Sequence, residues 1–126
     1  MIRFALGEVL GQAGYTVLVA EDGARGIRIL DILAEFGREP DLTIADLVMD
    51  SVSGYEVIKH AKLRFPARPV IAISGGTRSM PADLPLELAK RTGADASLQK
   101  PVSNDELLRT IRALIAAAPA KAPVAS

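Results

Sequence analysis

No cysteine occurs in this chain, which excludes disulfides and thiol chemistry. Aromatic residues are few, two tyrosines and three phenylalanines, so a core has to be assembled from Leu, Ile, Val and Ala, which suits layered sheets and helices. Net charge is lacking as well. The 15 basic and 15 acidic residues cancel, and Lys and Arg are scattered with no basic run, which argues against nucleic acid or an anionic membrane as the main partner. No apolar run approaches the roughly 20 residues of a membrane span. With no signal-peptide pattern at the start, a cytoplasmic protein is expected. What is there is 126 residues that are 49% hydrophobic, enough for one domain and too few for two ordinary cores.

Four short runs read as strands: Thr16–Ala20 (TVLVA), Leu42–Asp46 (LTIAD), Val70–Ser74 (VIAIS) and, weakly, Ser97–Gln99 (SLQ). Continuous apolar runs of this length belong to strands buried on both faces. Their starts lie 26, 28 and 27 residues apart, and each gap holds a segment of helical period. That alternation predicts a parallel sheet with right-handed crossovers.

The helices are placed by their apolar stripes and their stops. Ile2, Leu6, Val9, Leu10 and Ala13 form one stripe ending at Gly14; Ala24 to Phe36 carries Ile27, Leu30 and Leu33 and closes at Gly37. A third helix runs from Tyr55 to Leu63, before Pro66, and a fourth from about Leu84 to Thr92, before Gly93. The last has an S-x-x-E capping box, Ser103 and Glu106, ahead of Leu107, Leu108, Ile111, Leu114 and Ile115. The domain is thus expected over residues 1–115. Residues 116–126, AAAPAKAPVAS, carry no packing stripe and read as a flexible Ala/Pro tail. Stepping back one period from Thr16 puts a preceding strand about eleven residues before Met1, so the first helix is expected to lack a strand of its own.

Working residues of a parallel α/β sheet sit at the carboxyl ends of its strands. Three polar residues stand there: Asp46, Ser74 and Lys100. A carboxylate can attack as nucleophile, a hydroxyl can donate to a phosphoryl oxygen, and an ammonium can offset the developing negative charge. Each has a plainer reading: Asp46 as a turn or cap acid, Ser74 as a turn cap, Lys100 as a solvated lysine. His60, on the third helix away from the strand ends, reads as a surface residue. The pair Gly75–Gly76 lacks the spacing of a phosphate-binding loop.

The strings PDLTIADLVMDSVSGYEVI (Pro40 to Ile58), VIAISGG (Val70 to Gly76) and GADASLQKP (Gly93 to Pro101) resemble the receiver domain of two-component response regulators. Three ordered motifs over nearly the whole chain make the match specific. The resemblance implies a flavodoxin-like doubly wound parallel sheet with helices on both faces, here with its first strand missing. It implies Asp46 as phosphoacceptor, charged by a histidine kinase or phosphotransfer protein, with Ser74 and Lys100 holding the phosphoryl group. Pro101 matches a proline preceded by a cis peptide, and Gly54 the residue that permits the turn after the acceptor. It implies Mg²⁺, held by Asp46 and the backbone carbonyl of Val48, in an incomplete set because the acidic pair of the first strand is not in the sequence; Glu21 and Asp22 sit where the family has an ordinary loop. Two further departures are Ser97, where most receivers carry Tyr or Phe, and Asp50, where a proline is common.

The expected protein is a non-enzymatic phosphorelay receiver that signals by contact with a downstream protein. A receiver-like interaction module independent of phosphorylation is the alternative, and a small cofactor-binding flavodoxin-like protein is disfavoured by the lack of a phosphate-cradling glycine pattern. A homodimer or higher assembly is expected, because a sheet without its central strand presents unpaired edges.

Overall fold

In the computed structural model, residues 10–16, 18, 20, 22–47, 53–74 and 83–120 are described. Three strands form one parallel sheet in the order β1 (Thr43–Asp46), β2 (Val70–Ser74), β3 (Ala96–Gln99). The register sets Asp46 beside Ile73 and Ser74 beside Gln99, so the three carboxyl ends lie level. Four helices follow the predicted segments closely: α1 (Gly23–Glu35), α2 (Ser53–Arg64), α3 (Asp83–Thr92) and α4 (Asn104–Ala117). Residues 10–12 are helical as well, while residues 1–9 of the first expected helix lie outside the described residues.

The period-2 alternation of β2 divides the core. Val70 and Ala72 face one layer with Ala45, Leu30 of α1, Ile58 and Ala61 of α2, and Ala89 of α3. Ile71 and Ile73 face the other, with Leu98, Leu10 and the α4 residues Leu107 and Ile111. All five β2 residues are buried, as a central strand covered on both faces requires. Each fully buried aliphatic side chain in these layers contributes about 1.5–3 kcal/mol relative to exposure.

The helix ends are chemical. Asp22 caps α1 by accepting from Arg25 N at 2.8 Å, and Ser103 caps α4 by accepting from Glu106 N at 3.1 Å. After α1, Gly37 N donates to the Ala34 carbonyl and Arg38 N to that of Leu33 at 2.8 Å, a closing turn that needs the left-handed φ of +67° at Gly37. At the amino ends of the strands, Lys62 Nζ stands 2.7 Å from Asp95 Oδ2 and donates to the Arg68 carbonyl, while the same carboxylate oxygen accepts from Val70 N. That network ties β2, β3 and α2 together at the base of the sheet.

Two expectations are corrected. The last helix takes in Ala116 and Ala117, two residues assigned to the tail, because its backbone ladder continues to a cap at Ala118. The run at Thr16–Ala20 was expected to form a strand buried on both faces; Thr16, Leu18 and Ala20 are irregular and Leu18 is 64% exposed, while Val17 and Val19 lie outside the described residues. A strand needs a ladder to join, and among the described residues none pairs with the outward edge of β1. On that strand Thr43 N and Leu47 N donate to the Pro69 and Ile73 carbonyls of the β2 side. The intervening residues, Ile44 and Asp46, therefore aim their backbone groups away from β2.

Candidate functional site at the carboxyl edge of the sheet

Sequence placed Asp46, Ser74 and Lys100 at three strand ends, and the parallel register brings those ends to one edge. Leu47 N donates to the Ile73 carbonyl at 2.8 Å and Lys100 N to the Ser74 carbonyl at 2.9 Å, which pins the residues on either side to the end of the central strand. Lys100 Nζ reaches across to Asp46 and stands 3.1 Å from both carboxylate oxygens. Its geometry makes a hydrogen bond to Oδ2; Oδ1 is buried and has electrostatic contact with the ammonium but no hydrogen bond. The side chains are largely withdrawn from water, 18% exposed for Asp46 and 28% for Lys100. Ser74 is buried at the end of the strand between them. The Lys100–Pro101 bond is cis, as the resemblance implied.

The amino terminus of α2 closes on this edge. A Cβ on Gly54 would stand 2.9 Å from Leu47 Cδ2 and 3.1 Å from the Asp46 carbonyl oxygen, so only glycine lets the helix start so near the acceptor strand. A helix start here adds a positive dipole end to the ammonium. The arrangement can stabilise an anion on or beside Asp46.

The Mg²⁺ expectation is tested by the same atoms. The buried Oδ1 of Asp46 is an acceptor without a hydrogen bond, but its neighbour is already a cation, Lys100. Among the described residues no three His, Cys, Asp or Glu side chains gather as a metal cluster. Val48 and Glu21 lie outside the described residues, and Asp22 is occupied as a helix cap. Mg²⁺ demands a near-octahedral oxygen set. The described side chains do not supply one.

Other sites differ from their sequence readings. His60 is not a free surface residue: its Nε2 lies 2.6 Å from Asp31 Oδ1, and Arg64 Nε donates to that same oxygen at 2.9 Å. The His60 hydrogen bond, with a smaller contribution from Arg64, holds the Asp31 carboxyl below the usual carboxylate range against the opposing effect of desolvation. These partners lie 29 and 33 residues apart on α1 and α2, and no local pattern signals them. Burial raises the Tyr55 hydroxyl above its usual value. Ser97 Oγ is buried without a hydrogen-bond partner. Asp50 and Gly75–Gly76 lie outside the described residues.

The fold and edge define a class: doubly wound α/β proteins of flavodoxin-like topology, with an acid and an ammonium paired where the parallel strands end. The family model of the response regulator receiver domain matches residues 1–112, and the chain belongs to that family. The transcriptional regulatory protein CpxR of Klebsiella pneumoniae is 33% identical over 110 residues, covering 87% of this chain and 43% of that protein. Protein PilH of Pseudomonas aeruginosa is 30% identical over 115 residues, covering 90% of this chain and 88% of that protein. A solved response regulator receiver domain protein from Clostridium thermocellum superposes with a TM-score of 0.75 at 29% identity, over 91% of this chain and 86% of that one. The chain thus spans under half the length of CpxR. Receiver domains are signalling modules of two-component systems, and they generally bind Mg²⁺ at an acidic pocket. Among the described residues no helix is long and apolar enough to cross a membrane.

Proposed function

We propose that this chain is a cytoplasmic phosphorelay receiver that accepts a phosphoryl group on Asp46 from a histidine kinase or phosphotransfer protein and signals by contact with a downstream protein. The observation that carries the reading is the Asp46–Lys100 pair that reaches across the end of the central strand, with both carboxylate oxygens 3.1 Å from Nζ. In the transfer, a carboxylate oxygen bonds to phosphorus as the phosphorus–nitrogen bond of the donor histidine breaks, and the nitrogen keeps the electron pair. Lys100 then swings from the carboxylate to the phosphoryl oxygens and Ser74 donates to one of them. The added charge of about −1.5 to −2 sits at the carboxyl end of β1, beside the end of β2, where it biases the contact surface. Acetyl phosphate with Mg²⁺, followed by intact mass, tests this: a single phosphoryl adduct is expected, absent in Asp46→Asn. Failure to form any adduct refutes the phosphoacceptor role.

The homodimer or higher assembly expected from the sequence is kept as part of this reading, and the outward edge of β1 supports it. Among the described residues no strand pairs with that edge, toward which Ile44 and Asp46 aim their backbone groups, and a second copy can extend the ladder. Analytical ultracentrifugation at tens of micromolar is expected to show a dimer or higher assembly; a clean monomer contradicts it.

A further inference from the structure

At the base of the sheet, opposite Asp46, Arg68 is buried, with 6% of its surface exposed, and no described carboxylate pairs with it. Its Nη2 donates to the carbonyl of Pro119, just past α4, and its Nε is buried with no hydrogen-bond partner. The negative end of α4 makes such a charge tolerable. Arg68 N bonds the Phe65 carbonyl at the end of α2, and Pro119 directly follows Ala118, the cap of α4.

The remaining donor pattern is specific. Nε–H and the adjacent Nη–H of a guanidinium lie parallel on one edge and match the two oxygens of a carboxylate. In this chain Nη2 meets a neutral carbonyl and Nε meets nothing. A buried donor left unmade is costly, and a second acceptor would recover that cost.

We propose that the Nε/Nη2 edge of Arg68 is a carboxylate-binding site, half occupied by the Pro119 carbonyl, and that a carboxylate entering it displaces the chain after α4. The site is separate from the phosphoacceptor edge and does not depend on it. The full chain is titrated with sodium acetate, against sodium chloride at matched ionic strength, while NMR follows the Arg68 Nε–H signal and the amides of Ala118 and Ala120. A saturable shift of all three with acetate alone is expected, and affinity roughly tenfold weaker in Arg68→Lys, whose ammonium cannot offer two parallel donors. A glutamate-rich peptide at equal carboxylate concentration separates the sources. A stronger response identifies an acidic polypeptide as the ligand, and an equal one a free small carboxylate. No saturable response to either probe, a response matched by chloride, or an Arg68→Lys curve that overlays the wild type overturns the proposal.

Discussion

Replacing Lys100 by methionine removes an ammonium 3.1 Å from both oxygens of Asp46 while keeping a side chain of similar length. At that separation, and with an effective dielectric constant of about 20, the gross attraction is about 5 kcal/mol. Withdrawing both groups from water offsets most of it, so the net coupling should be about 1–2 kcal/mol. Lys100→Met should cost about 2–3 kcal/mol, because it also leaves a carboxylate only 18% exposed without its counter-charge. Asp46→Asn should cost about 1 kcal/mol, since the amide oxygen still accepts and the lysine, 28% exposed, can turn to water. The double variant should then cost about 2 kcal/mol, less than the sum of the two. Urea unfolding of the four proteins, with unchanged slopes, measures the cycle. Additivity within about 0.5 kcal/mol would refute the idea that the pair is energetically joined.

Gly54→Ala is expected to destabilise by about 1–3 kcal/mol, because its Cβ would meet Leu47 Cδ2 at 2.9 Å and the Asp46 carbonyl at 3.1 Å. A urea midpoint equal to that of the wild type would show that α2 can retreat freely. Asp31 predicts a pH signature. Its folded-state value is held below 3.8 by His60 and Arg64, so its contribution is fully present above 3.8 and is lost as pH falls through the depressed value. Wild-type stability should therefore drop more steeply across that acid window than that of Asp31→Asn. Parallel pH curves for the two proteins would rule the linkage out.

The sequence determined much of this protein by local rules. Short continuous apolar runs placed three strands, and near-four-residue apolar periods placed four helices, to within a few residues. Gly37, Gly93 and the Ser103–Glu106 pair marked helix ends because left-handed turns and orphan amides have few chemical solutions. Asp46, Ser74 and Lys100 were legible because residues at the ends of parallel strands share one edge whatever the details of packing.

Tertiary structure decided what depends on distance through space. The ion pair of Asp46 and Lys100 closes over 54 residues of chain, and the Asp31–His60 contact over 29. Whether Arg68 is solvated or buried depends on where α2 and α4 end relative to each other, which no window of sequence contains. The Thr16–Ala20 run shows the limit most clearly. Its composition is that of a strand, but a strand exists only where a neighbour completes its hydrogen bonds, and that neighbour is a property of the assembled sheet.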